Sequence, residues 1–90
     1  MSKELLIDII GWVGSVEVVL AYAMVSAKRL KADSWLYQLL NLTGAVFLII
    51  NTYYYAAYPS TFINIVWVFI AGVAIFKMIK SIPKAENNGK

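Results

Sequence analysis

An acidic side chain lies in the middle of a long apolar stretch of this 90-residue chain. Glu17 interrupts the run from Leu5 to Val25, and a carboxylate at such a depth in lipid costs about 3 kcal/mol. A protonatable acid there suits proton coupling, and if two copies faced each other at least one would hold its proton at neutral pH. The alternative is a neutral Glu17 that gives one hydrogen bond to a neighbouring helix. The sequence leaves both interpretations open.

Three side-chain amides fall on one face of a second apolar stretch. At 100° per residue, Gln38, Asn41 and Asn51 share one side of a helix with Gly44. An amide in lipid must be paired or hydrated, so this stripe is a candidate for lining a cavity. The alternative is that the amides join helices, at about 0.6 kcal/mol for each hydrogen bond.

A third apolar stretch carries Asn64 and Trp67 one helical turn apart. An amide beside an indole ring could hydrogen-bond and stack against a polar ligand such as a sugar. Trp67 would serve equally well as a packing residue.

The first stretch has small or polar residues on two opposite sides. Gly14 and Glu17 share one face, whereas Asp8, Gly11 and Ser15 lie nearly opposite. Gly11 and Ser15 form a small-xxx-small pair, which lets another helix approach closely. We therefore expect the first helix to contact its own bundle on one side and a second copy of the chain on the other. Asp8 should lie near the membrane surface and be hydrated.

The composition is that of a membrane protein, because 61% of the residues are hydrophobic and only 14% are charged. Apolar runs over about 5–27, 35–58 and 62–79 each have the length needed to cross a bilayer as an α-helix. We expect an all-α membrane protein, with a three-helix transmembrane domain over residues 1–80 and a flexible tail over 81–90. The lipid bilayer is then its first partner.

Several function classes lack the residues that they need. The chain has no cysteine and no histidine, which removes the usual zinc and haem ligands. Neither a nucleophile–base pair nor a cofactor motif is present, so we expect no enzyme activity, no cofactor and no metal site. The positive charges lie beside the apolar runs, which argues against nucleic acid as a partner.

The basic residues also predict a topology. The first connection carries three of them between Ala27 and Asp33, the second connection around Pro59 carries no charge, and further lysines follow from Lys77 onward. The positive-inside rule places the first connection and the C-terminus in the cytoplasm and the N-terminus outside. Asp33 or Ser34 can cap the second helix. We expect a multi-pass protein of the cell membrane, specifically of a bacterial inner membrane.

The order of these features resembles the SemiSWEET sugar transporters and their relatives in the PQ-loop superfamily. The resemblance covers Ile9–Lys80 and is carried by Ile10-Gly11-Trp12-Val13, by Asp33-Ser34 after a basic loop, by Gly44, by Pro59 and Asn64, and by the segment from Lys77 to Lys80. It implies a three-helix repeat that dimerises around one translocation path. It also implies that Asn64 is the substrate-contacting asparagine of that family.

The chain departs from that family at two places. Met24-Val25 stand where the hallmark Pro-Gln should fall, and Leu48 replaces a tryptophan of the sugar clamp. The chain therefore looks more like a diverged small member of the superfamily than a true sugar carrier.

Three functions follow from these patterns. The first is a homodimeric transporter of a small polar solute, with a central cavity at the substrate-binding positions Asn41, Leu48, Asn51, Asn64 and Trp67. Glu17 is then the proton-coupling candidate, and Gly11, Ser15 and Gly44 are the packing positions. The second is a membrane assembly or regulatory module that does not transport, and the third is a proton or ion pathway built around Glu17.

Overall fold

The chain forms three long helices. The computed structural model describes residues 1–88, with the side chains of residues 1–81. The helices are α1 (Lys3–Ser26), α2 (Trp35–Tyr54) and α3 (Tyr58–Asn88). Each of the three is long and apolar enough to cross a membrane, α3 through its segment Tyr58–Ser81. The prediction of an all-α chain with three candidate spans is thus confirmed, whereas the orientation in the membrane stays a prediction.

Helix α2 lies between the other two. It packs along α1 on one side and along α3 on the other, and α1 does not contact α3 within the described part of the chain. The buried apolar residues of this arrangement are Ala21, Ala45 and Ala71, one from each helix. Large apolar side chains such as Phe62 and Phe69 are exposed instead. An interior of alanines with such an apolar exterior is what a bilayer accommodates, because lipid covers the outer faces and small residues let the helix backbones approach.

Glycines set the distance between α1 and α2. A Cβ atom placed on Gly14 would lie 2.8 Å from the carbonyl oxygen of Gly44 and 2.8 Å from Cβ of Phe47. A Cβ atom placed on Gly44 would lie 2.7 Å from a methyl group of Val18. Because a real side chain could not occupy these positions, the two backbones approach only where both residues are glycine.

Helices α1 and α2 are both followed by a residue with a positive φ angle, Lys28 (62°) and Ala56 (59°). At the second site the Ala56 N–H donates to the Tyr53 carbonyl at 3.0 Å, and the Ala57 N–H donates to the Thr52 carbonyl at 2.8 Å. These two bonds are those of a Schellman motif, which normally has glycine at the left-handed position. The chain therefore turns sharply after α2 at a residue that has a Cβ atom.

The two helix boundaries on either side of this turn differ from the predicted ones. Helix α2 ends at Tyr54 instead of residue 58, and α3 begins at Tyr58 instead of residue 62. Pro59 falls in the first turn of α3, where its missing N–H costs nothing because the first N–H groups of a helix lack a partner within the helix. The helix thus begins next to Pro59, which can start a helix, and four residues before the apolar run that was predicted from residue 62.

The C-terminal helix also continues beyond its predicted end at residue 79. The backbone of α3 is helical to Asn88, through a segment that contains the good helix formers Lys84, Ala85 and Glu86. Residues 89–90 of the predicted flexible tail lie outside the described residues. The cytoplasmic location of the tail stays a prediction.

Candidate functional site

A cavity of about 150 Å³ lies where all three helices contribute side chains. It is lined by Val18 and Tyr22 of α1, by Tyr37, Asn41 and Ala45 of α2, and by Asn64 and Trp67 of α3. The cavity lies over α2, between α1 and α3, which do not contact each other in the described part of the chain. Three of the predicted substrate-binding residues, Asn41, Asn64 and Trp67, thus come together at one place.

The two amides of this cavity differ in which hydrogen-bonding atoms remain available to a ligand. Asn64 donates from Nδ2 to the carbonyl oxygen of Ser60 at 3.0 Å, one turn back in its own helix. This bond identifies the nitrogen of the amide and leaves Oδ1 as an acceptor. Among the described side chains, Asn41 forms no hydrogen bond with the protein, so it offers the cavity both a donor and an acceptor. The site can therefore bind a group that both donates and accepts, such as a hydroxyl.

Aromatic rings complete the lining. Trp67 is 50% exposed and Tyr22 is 70% exposed, whereas Tyr37 is half-buried. Rings this exposed leave the cavity open on the side that faces away from α2. One copy of the chain therefore supplies only part of an enclosure.

The other two amides of the predicted stripe serve the fold. Gln38, which is 8% exposed, donates from Nε2 to the carbonyl oxygen of Ala32 at 2.9 Å and so ties α2 to the first connection. Asn51 donates from Nδ2 to the carbonyl oxygen of Ile7 at 3.0 Å and joins α2 to α1. The stripe is thus divided among a cavity at Asn41, a bond to the first connection at Gln38 and, at Asn51, the interhelical bond that was the alternative interpretation.

Two predicted substrate positions lie outside this cavity. Asn51 faces α1 above Gly11, and the backbone nitrogen of Leu48 lies 3.3 Å from the point that a Cβ atom on Gly14 would occupy. Both positions belong to the contact between α1 and α2, because the glycines of α1 draw that part of α2 close. A role in substrate binding stays a prediction for both residues.

Glu17 contacts α2 on a different side of α1 and does not line the cavity. Its Oε2 atom lies 2.8 Å from the Thr43 hydroxyl, which also lies 2.8 Å from the carbonyl oxygen of Leu39. The Thr43 hydroxyl has one hydrogen, so as donor it divides that hydrogen between the Glu17 carboxyl and the Leu39 carbonyl oxygen. The other oxygen, Oε1, is buried without a partner among the described residues.

Thr43 is a residue that the sequence interpretation missed. It lies on the face of α2 that carries Leu36, Leu39 and Ile50, where a single hydroxyl gave no sign of a polar partner. The available signal was Glu17 itself, since an acid in lipid requires a donor or acceptor on a neighbouring helix.

The predicted packing residues are used within one chain. Gly11 and Gly14 are both buried, as is Gly44, and all three lie at the contact between α1 and α2. The sequence did not assign either face of α1 to its own bundle, and the structure places Gly11 and Gly14 together against α2. Ser15 lines a second and more open cavity with Asp8. A second copy as partner stays a prediction.

Tyrosines of α2 contact acids of α1 at the end where both lie near the second connection. Tyr54 donates to Oε2 of Glu4 at 2.8 Å, and Tyr55 donates to Oδ1 of Asp8 at 2.5 Å. The hydrogen bond to the Asp8 carboxylate, with burial as a smaller cause, raises the pKa of Tyr55 to about 12. These bonds hold the first turns of α1 against the end of α2.

A protein-family model matches residues 7–82, which include almost all of the three-helix region. The chain belongs to that family. No curated protein and no solved structure matches the chain. The link to the SemiSWEET transporters therefore stays a prediction from the sequence. Together with the three candidate spans, the family match indicates a small multi-pass membrane protein.

Proposed function

We propose that the chain is a homodimeric transporter of a small polar solute, with the cavity at Asn41, Asn64 and Trp67 as its binding site. The observation that carries the proposal is the Asn41 amide, which lines the cavity without a partner among the described side chains. An unpaired amide between membrane helices is costly, so water or a ligand must satisfy it. The nearby rings supply a stacking surface of the kind that sugars use.

The size of the cavity supports a second copy as the partner. A volume of about 150 Å³ is about half of the smallest common ligand pockets, which begin at roughly 300 Å³. Two cavities that face each other across a dimer axis would together reach that size. Transporters built from repeats bind their substrates at such an interface near the middle of the membrane. By the positive-inside rule, the two copies lie parallel with the N-terminus outside and the C-terminus in the cytoplasm.

Cysteine accessibility tests whether the cavity holds water. The chain contains no cysteine, so each variant carries a single thiol. Asn41→Cys in liposomes should react with a charged, water-soluble thiol reagent. Val46→Cys, on an exposed apolar position of the same helix, should react at least tenfold more slowly because lipid covers it. Equal, slow rates at both positions would overturn the proposal of a hydrated cavity.

Uptake into liposomes tests transport itself. Labelled glucose, mannitol and glutamine represent polyols and amides. These solute classes can hydrogen-bond to the side-chain amides of the cavity and stack against its rings. Uptake of at least one should exceed that of empty liposomes, and Trp67→Leu should reduce it at least tenfold. Trp35→Leu, which removes a tryptophan outside the cavity, should leave the rate within twofold. Failure of all three solutes would reject transport of these classes.

A non-transporting assembly or regulatory module is the second candidate. Its support is that Gln38 and Asn51 both bond to backbone carbonyls, as expected of a dry, tightly packed protein. This candidate gains if Asn41→Cys is unreactive and the chain co-purifies with a larger membrane protein. A proton pathway through Glu17 has less support, because Glu17 does not line the cavity and Thr43 accounts for one of its oxygens.

A further inference from the structure

A second cavity of about 170 Å³ lies nearer the N-terminus of α1. Its lining residues are Asp8, Gly11, Trp12, Ser15 and Asn51, and it shares none of them with the first cavity. Asp8 is in the second turn of α1, so its end of the cavity lies near the level of the lipid headgroups, whereas Ser15 lies near the middle of the helix. No part of the transport proposal uses it.

Three side chains of this cavity, Asp8, Asn51 and Ser15, each offer an oxygen atom that can accept a hydrogen bond. Asp8 uses Oδ1 for the Tyr55 hydroxyl, which leaves Oδ2 free. Asn51 uses Nδ2 for the Ile7 carbonyl, so its Oδ1 remains as an acceptor. Ser15 forms no hydrogen bond within the described residues and contributes its hydroxyl oxygen. The lining thus presents a carboxylate, an amide carbonyl and a hydroxyl.

The Asp8 carboxylate has no basic side chain beside it in the lining of this cavity. Lys3 is the only basic side chain before Lys28, which follows the opposite end of α1. An exposed carboxylate at the edge of an apolar helix surface attracts a cation by its charge. The cavity is therefore selective for positive charge.

The number and kind of these groups distinguish among cations. A primary ammonium group has one positive charge and three N–H donors, which match one carboxylate and two neutral acceptors. The indole ring of Trp12 attracts an alkylammonium through its π face. Calcium takes six to eight oxygen ligands, and this lining supplies fewer.

We propose that this second cavity binds a primary ammonium group, either of an aminophospholipid headgroup or of a free amine. The Asp8 carboxylate neutralises the charge, Asn51 and Ser15 accept hydrogen bonds, and Trp12 covers the alkyl carbon next to the nitrogen. The site is distinct from the proposed transport cavity, so either could exist without the other.

Ethanolamine is the probe for this site. The protein is reconstituted in nanodiscs of phosphatidylcholine and titrated with ethanolamine hydrochloride at pH 7, with tryptophan fluorescence as the readout. We expect a saturable change that Asp8→Asn weakens at least tenfold, since this variant keeps the shape of the side chain and removes its charge. Glu4→Gln is the matched control, because Glu4 is an acid at the same end that does not line the cavity, and its affinity should stay within twofold of the parent protein.

Two further measurements test the hydrogen bonds separately from the charge. Ser15→Ala removes one acceptor without touching the Tyr55 contact and should weaken binding threefold or more, which keeps a test available if Asp8→Asn does not fold. Tetramethylammonium, which carries the charge without N–H donors, should bind at least tenfold more weakly. Equal affinity for the parent protein and Asp8→Asn, or an equal response to sodium chloride, would overturn the proposal.

Changing the lipid composition distinguishes a lipid headgroup from a free amine as the source of the ammonium group. Nanodiscs that contain phosphatidylethanolamine should shift the ethanolamine titration to higher concentration if the headgroup occupies the cavity. An unchanged titration in those nanodiscs assigns the cavity to free amines.

Discussion

The close approach of α1 and α2 at Gly44 gives a quantitative prediction. In Gly44→Ala, the new Cβ atom would lie 2.7 Å from a methyl group of Val18, 3.0 Å from the carbonyl oxygen of Gly14 and 3.2 Å from Cβ of Glu17. The Val18 side chain can rotate, but the Gly14 oxygen belongs to the backbone of α1. The two helices must therefore separate by several tenths of an ångström.

The expected loss follows from two opposing effects. Overpacking of this kind costs about 1–3 kcal/mol, and the better helix propensity of alanine returns up to about 1 kcal/mol. We expect Gly44→Ala to lower the free energy of unfolding by about 1–2 kcal/mol. Gly72→Ala is the matched control, because a Cβ atom at Gly72 meets no atom within 4 Å. That variant gains the propensity without the clash.

The assay is thermal unfolding in mild detergent, followed by circular dichroism. Gly44→Ala should melt below the parent protein and Gly72→Ala at or above it. Adding Val18→Ala to Gly44→Ala should recover part of the loss, because only the Gly14 oxygen then remains closer than 3.2 Å. If Gly44→Ala and Gly72→Ala were equally stable, the close contact between α1 and α2 would be refuted.

Three other changes have outcomes that the structure fixes. Glu17→Gln should unfold within about 0.5 kcal/mol of the parent protein because its amide oxygen can still accept from the Thr43 hydroxyl, whereas Glu17→Leu should lose about 1 kcal/mol; equal losses in chemical unfolding would contradict the hydrogen bond between Glu17 and Thr43. Ala56→Gly should gain about 1 kcal/mol in the same assay, since a left-handed residue with a Cβ atom is strained, and a loss would place the turn elsewhere. The phenol of Tyr55, with its pKa raised to about 12 from about 10 in an unfolded chain, should give a tyrosinate absorbance step near pH 12 that Tyr55→Phe removes. Because this pKa is raised, the bond to Asp8 stabilises the fold fully below about pH 10 and is lost as the pH rises through about 12; the same titration in both proteins would reject the bond.

The sequence was sufficient to predict the helices because membrane spans are long, apolar and locally encoded. Ser34 caps α2 with its hydroxyl accepting from the Tyr37 N–H at 3.3 Å, as its position after the basic loop predicted. The end of α2 was harder, because a Schellman motif without glycine has no sequence signal. Alanine has the highest helix propensity, but Ala56 adopts the left-handed conformation at which the chain turns.

From the sequence, the candidate site could be predicted only as groups of residues that share a face of one helix. A helical wheel places Asn41 and Asn51 on one side of α2, and both are only partly exposed in the structure. It does not say what each amide meets, since that depends on how closely α1 and α3 approach along the length of α2. The three glycines of α1 and α2 decide this, and they turn Asn51 into an interhelical bond while Asn41 stays in a cavity.

The central position of α2 has a consequence for how the chain is made. Within the described residues, α1 packs on α2 and not on α3, so the first two helices can pair in the bilayer while the ribosome is still synthesising α3. The Gly14–Gly44 contact and the Asn51 bond to Ile7 need nothing from the last third of the chain. We expect the hairpin of α1 and α2 to form first, with Thr52 and Asn41 not yet covered by protein. Helix α3 then packs beside both residues.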